Sequence, residues 1–286
     1  VNFKKFLLLF LFALSASCWA NRSPSSPFVS GDGFRAYADY IYDETDRSLD
    51  PTSVKSGSAI FVKTDYLDHF FSRIHPLIRY PYVLITHNSD YGVPGSFSSF
   101  LEDEKIIAWF GQNTDLSHPK LHPIPIGIAN QYWGHGNVEV LRAVASQTLP
   151  KKHLLYLNFV IQNYYPERWQ VFRLFGNAPF CFRPSRKDFG GFLADMKSSQ
   201  FILSPRGNGL DTHRLWEALY MGSFPIVKTS SLDALYADLP VVIVNDWKEV
   251  TEEFLLQKYE ELSQSRYSLE KTKMNYWTKL IDSYKS

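Results

Sequence analysis

Between Phe201 and Val227 the chain reads Phe-Ile-Leu-Ser-Pro-Arg-Gly-Asn-Gly-Leu-Asp-Thr-His-Arg-Leu-Trp-Glu-Ala-Leu-Tyr-Met-Gly-Ser-Phe-Pro-Ile-Val, and few folds accommodate it. The apolar run Phe201–Leu203 predicts a strand. It gives way to a loop, Pro205–Leu210, whose two glycines reach backbone angles closed to other residues and let the main chain come close to a ligand. Asp211 stands where an N-cap carboxylate accepts from first-turn amides, and Gly222 stands where a helix stops. The expected order is strand, glycine loop, short helix, turn, strand.

At roughly 100° per residue, Leu215, Ala218 and Leu219 form an apolar stripe on that helix, while His213, Arg214 and Glu217 gather on another face. A loop that feeds a helix N-terminus aims backbone amides and a partial positive charge at one point, and Arg206 and Arg214 add full charges there. Together with the amides of Gly207, Asn208 and Gly209 they predict a diphosphate site. Glu217 lies about a turn and a half into the helix, too far along to touch phosphate, and is suited to accept from the vicinal hydroxyls of a sugar. A plainer reading also fits, a surface helix whose charges make ordinary i, i+3 and i, i+4 contacts.

The first half of the chain after Ala59 alternates strand and helix patterns, which predicts a parallel sheet covered on both faces. Strands are expected at Ala59–Val62, Tyr82–Thr86 and Ile106–Phe110, with a helix at Tyr66–Ile74. The second of these strands ends in His87-Asn88-Ser89-Asp90, and the third in Gln112-Asn113. In open α/β sheets ligands sit beyond the carboxyl ends of strands, so these side chains are expected to face a crevice, unless they are simply polar turns. The prolines of His122–Asn130 predict an edge strand or crossover. A helix at Val138–Ser146 follows, and the boundary between two halves is expected at Gln147–Lys152. Beyond it, strands are expected at Leu154–Leu157, Phe180–Phe182 and Val241–Val244, and helices at Glu167–Phe175, Phe189–Lys197, Val250–Leu262 and Leu269–Tyr284. Asn21–Ser58, rich in serine, proline and glycine and without sustained periodicity, reads as a linker or loosely packed start.

The run Leu-Ser-Pro-Arg-Gly-Asn-Gly, then His-Arg-Leu-Trp-Glu-Ala-Leu and Pro-Ile-Val, resembles the donor-site signature of exostosin-type glycosyltransferases, nearest the branch with the ribitol xylosyltransferase. Echoes at His87–Asp90 and Pro123–Asn130 extend the resemblance over most of the chain after Ala59. It implies an α/β fold of two Rossmann-like lobes, the GT-B arrangement, with residues 59–150 on the acceptor side and 151–286 binding a nucleotide sugar, uridine-linked. It further implies Arg206 on the diphosphate, Glu217 on the donor ribose, and an inverting transfer to a glycan or polyol hydroxyl. The donor set then comprises Arg206, Gly207, Asn208, Gly209, Asp211, His213, Arg214 and Glu217. Asn88 and Asn113 fall on the acceptor side, and the base is expected at Asp90 or at His87. Two readings from other classes compete: a degenerate transferase that only binds nucleotide, and an exported lectin.

Composition narrows the field further. A net charge of +1 over 286 residues supplies no long-range field to gather nucleic acid or an anionic membrane. No His-Glu-x-x-His and no Asp-x-Asp occurs, and proline interrupts His118 and His122, so neither a metal nor another cofactor is expected. Cys181, flanked by phenylalanines, reads as a buried strand residue and not a nucleophile. Residues 1–20 carry Lys4 and Lys5, an apolar run from Phe6 to Leu14, and small residues at Cys18 and Ala20. They read as an export signal cleaved before Asn21, or as a retained anchor that would associate the protein with a membrane of the secretory pathway.

Overall fold

The computed structural model describes residues 22–285, so the predicted targeting segment lies outside the described residues. Two five-stranded sheets, both parallel throughout, make an α/β fold. The first holds β1 (Tyr40–Tyr42), β2 (Ser58–Lys63), β3 (Tyr82–His87), β4 (Ile106–Gly111) and β5 (Leu121–Pro123) in sequential order. Its inner strands, Ser-Ala-Ile-Phe-Val-Lys and Tyr-Val-Leu-Ile-Thr-His, are apolar almost without interruption because both faces of a parallel sheet are covered.

The second sheet holds β6 (His153–Tyr156), β7 (Cys181–Phe182), β8 (Ser199–Leu203), β9 (Phe224–Lys228) and β10 (Val242–Val244), in the order β10-β9-β8-β6-β7. Counted within the sheet this is the doubly wound order 2-1-3-4-5, and the winding direction reverses between β6 and β8. The crevice outside the carboxyl ends of those two strands is where such sheets bind ligands. The expected boundary at 147–152 falls between the Val138–Ala145 helix and β6, which is also where the chain passes from one sheet to the other.

The segment read as a linker is instead built into the first sheet. Gly31–Tyr37 is a helix capped by the Ser30 side chain, and β1 pairs with β2. Ser25, Val29, Phe34 and Tyr42 are buried. The Met274–Lys285 helix closes over the same sheet: Trp277 and Ile281 are buried, and the Tyr284 ring lies 5.5 Å from Phe110 and 4.7 Å from His122.

The two sheets share one apolar core. Leu215, Trp216 and Leu219, from the His213–Tyr220 helix that follows β8, pack in a single cluster with Phe61, Ile85 and Phe110 of the first sheet. Ala218, placed on the same stripe by helical periodicity, packs instead with Tyr156, Ile202 and Met221, so the helix is apolar on two sides. Gly222 follows it with φ +66°, the left-handed stop expected of glycine.

Candidate active site

The loop after β8 is stitched onto the first half of the chain. Asn208 Nδ2 donates to Asp90 Oδ2 (3.1 Å), the Asp211 amide to Asn113 Oδ1 (2.9 Å), and the Ile126 amide to Asp211 Oδ2 (2.7 Å). His213 Nδ1 pairs with the Gly127 carbonyl at 2.8 Å. Neither Gly207 nor Gly209 has the positive φ expected for a glycine loop. Space explains Gly209: a Cβ there would sit 2.5 Å from Asn113 Nδ2.

These contacts revise several expectations. Asp211 is not the helix cap, which is Thr212 and makes no side-chain cap bond. Its buried carboxylate accepts from the amides of Ile126 and Thr212, from Trp216 Nε1 (2.8 Å) and from the Tyr236 hydroxyl (3.2 Å). Burial pushes its pKa up to about 6 against the pull of those donors. It borders the cavity described below but is spent on structure, not on a donor.

Asn88 and Asn113 are struts as well, both in the left-handed region (φ 60° and 57°). Asn88 donates to Asp32 and accepts from Asn130, whereas Asn113 is buried and bonded to the loop. His87 cannot act as a base. The Asn88 amide donates to its Nδ1 (2.7 Å), which puts the hydrogen on Nε2 facing the Pro125 carbonyl (3.0 Å), so both nitrogens are engaged. Burial lowers its pKa to about 4.

Arg206 turns away from the expected position. Its guanidinium lies over the Tyr164 ring (4.2 Å to the centroid), donates to the Asn208 carbonyl, and borders a separate 230 Å³ hollow with Glu167 and Lys228. A residue that sequence reading passed over, Arg168, stands in its place. Arg168 is buried, and its Nε and Nη1 hold the carbonyls of Arg206 and Val160, both at 2.7 Å. Desolvation, the largest influence, brings its pKa down to about 10.

A cavity of about 580 Å³ opens at the reversal point of the second sheet, past Asn158 after β6 and the loop after β8. Arg168, Arg186, Lys187 and Arg214 line it together with Asp90, Asp188, Asp211 and Glu217, so its walls carry both signs of charge. Arg214 carries a buried Nε with no hydrogen-bond partner among the described residues. Glu217 is 4% exposed, and its carboxylate likewise makes no hydrogen bond among them. Burial raises its pKa to about 7, with the nearby Arg214 opposing.

A second cavity of about 900 Å³ lies beyond the ends of β3 and β4, lined by Asn88, Tyr91, Gln112, Asn130 and the exposed Trp133. Asp90, Ile126, Asn208 and His213 border both cavities and form the wall between them. Asp90, exposed, is the one expected catalytic group brought to that wall with an oxygen to spare.

Among the described residues no three His, Cys, Asp or Glu side chains are grouped to hold a metal ion, and no helix is long and apolar enough to cross a membrane. Cys181 opens β7 as a free thiol whose pKa burial pushes up to about 12.

No protein-family model matches the chain, and no curated protein matches it. Among solved structures it is similar to a chain of a GtfA/B complex, at 10% identity and a TM-score of 0.40, covering 81% of this chain and 58% of that one. At that level the likeness bears on neither family nor activity.

Proposed function

We propose that the protein is a glycosyltransferase of the exostosin type, with the two sheets as the lobes of a GT-B arrangement. It would move a sugar from a uridine-linked nucleotide sugar to a glycan or polyol hydroxyl, with inversion and without a metal. The observation that carries this is the pair Arg214 and Glu217, a cation with an unpaired buried nitrogen and a buried glutamate whose carboxylate makes no hydrogen bond among the described residues, set in the wall of the 580 Å³ cavity. An unmatched buried polar atom calls for an explanation, and at the wall of a cavity a bound ligand supplies one. A nucleoside diphosphate supplies both halves: phosphate oxygens for Arg214 and Arg168, ribose hydroxyls for Glu217. The leaving diphosphate would be stabilised by fixed charges already in place. The acceptor would occupy the 900 Å³ cavity, its reacting hydroxyl at the shared wall, where Asp90 places a negative charge. Residues 1–20 would direct the chain to the secretory pathway, by cleavage or as an anchor.

A thermal-shift screen of nucleotides and nucleotide sugars tests the donor site. A ligand at 100 times its dissociation constant is expected to stabilise by about 2.7 kcal/mol. Stabilisation by glycans alone, with no response to any nucleotide, would show a lectin instead; nucleotide binding without turnover would show a degenerate transferase. Arg206→Ala removes the contact with Tyr164 and the bond to the Asn208 carbonyl but no group that lines the 580 Å³ cavity, so UDP affinity measured by calorimetry should change less than about threefold. A loss of tenfold or more would return Arg206 to the diphosphate.

A further inference from the structure

We infer that His213 is the group that takes the acceptor's proton, through Nε2, and that Asp90 assists it from across the wall. The inference rests on the transferase reading above and moves His213 from the expected donor set to the reacting hydroxyl. A carbonyl oxygen can only accept, so the 2.8 Å contact with Gly127 fixes the hydrogen on Nδ1 and leaves the lone pair on Nε2. Nε2 has no partner among the described residues, and the half-buried side chain borders both the 580 Å³ and the 900 Å³ cavities. His87, at the end of β3, has the opposite tautomer and no free nitrogen. Asp90 already spends one oxygen on Asn208.

The surroundings of the ring suit a base that starts neutral. His213 is the first residue of its helix, where the dipole disfavours an imidazolium, and burial brings its pKa down to about 4. His135, with its ring centroid 6.2 Å away, Arg214 and His87 also disfavour the charged form, while the Gly127 carbonyl and Asp90 favour it. The step balances as follows. The acceptor O–H bond breaks and its proton passes to Nε2. The acceptor oxygen bonds the anomeric carbon of the donor as the bond from that carbon to phosphate breaks, and the electron pair leaves with the diphosphate. The imidazolium, favoured by the Asp90 carboxylate, then returns its proton to water.

His213→Asn tests this cleanly, because the asparagine amide reproduces the Nδ1 hydrogen toward Gly127 while nothing replaces the Nε2 lone pair. The full chain, wild type and variant, is titrated with UDP by calorimetry. It is then incubated with UDP-xylose, UDP-glucose and UDP-N-acetylglucosamine, with ribitol, methyl glycosides or water alone as acceptor. UDP affinity is expected within about threefold of wild type, and UDP release at least about 100-fold slower, the usual scale of general-base loss. Adding imidazole to His213→Ala should restore part of the rate. Asp90→Asn should slow release less than His213→Asn does, and shift the acidic limb of the kcat/KM profile to lower pH. If His213→Asn does not fold, His213→Gln carries the same expectation.

A His213→Asn enzyme that binds UDP and turns over within tenfold of wild type would overturn the assignment. So would loss of UDP binding in that variant, which would put His213 on the donor, and so would an Asp90→Asn enzyme slower than His213→Asn. Wild-type protein that binds no nucleotide at all would instead overturn the transferase reading, and this inference with it.

Discussion

Asp211→Ala is expected to cost about 3 to 5 kcal/mol of stability, the scale for breaking a buried charged network. The carboxylate is the shared acceptor of four donors from three parts of the chain: the Ile126 loop, the helix that follows Asp211, and Tyr236. Alanine leaves Trp216 Nε1, the Tyr236 hydroxyl and two amides without it, in a region where water has little access. In a chain of this size the melting temperature should fall by on the order of 10 °C. Asp211→Asn keeps the shape but turns an NH2 group toward donors, so it should recover only part of the loss. A drop of less than about 3 °C for alanine would mean that the loop is held by its other bonds alone.

Glu217→Gln should change how stability and nucleotide affinity respond to pH. The folded protein holds the Glu217 proton up to about pH 7, against an ordinary value of 4.5. A carboxyl raised in this way contributes stability that is fully present below pH 4.5 and is lost as the pH rises through 7. Wild type should therefore lose on the order of 3 kcal/mol from this one group between those limits, and the glutamine variant should not. Denaturant unfolding at pH 5 and pH 8 reads the difference directly: the stability of the variant relative to wild type should rise with pH.

Nucleotide binding has the opposite slope. Ribose hydroxyls donate best to the ionised carboxylate, so UDP affinity of wild type should strengthen from pH 6 to pH 8, and at pH 8 should exceed that of Glu217→Gln by roughly 10-fold or more. Preference for UDP over its 2′-deoxy analogue should shrink in the variant. Unchanged stability slopes together with unchanged ribose preference would remove Glu217 from the site.

The β-α-β core was readable because its signals are local. The apolar runs of β2, β3 and β4, and the Phe201–Val227 pattern ending at Gly222, carry their periodicity within one element. What was unreadable is what tertiary contact decides. Gly31–Tyr37 and β1 are seven and three residues long, and the helix contains two glycines, so no period builds up before each ends. An aspartate before a helix is equally good as a cap or as a buried acceptor, and only the arrival of Ile126, Trp216 and Tyr236 chooses for Asp211. The two glycines suggested unusual torsions, whereas the pressure at Gly209 comes from Asn113, distant in sequence. Arg168 sits on an ordinary amphipathic helix with nothing nearby to mark it, and the direction of the Arg206 side chain is set by Tyr164.

The stitching of the Asn208–His213 loop to Asp90, Asn113, Ile126 and Gly127 limits how the molecule can breathe. Beside it lies the core shared by Trp216, Phe61 and Phe110, so sliding one sheet past the other would strip hydrogen bonds and apolar contacts at once. A rocking motion about this line would spare the hydrogen bonds of the loop itself. The pivot of such a motion would coincide with the wall between the two cavities, so their outer mouths would widen more than the separation of Asp90 and His213. On the transferase proposal, opening of the two cavities would then leave the spacing of Asp90 and His213 nearly unchanged, and a crosslink across the outer rim should slow exchange of bound molecules without altering the step between them.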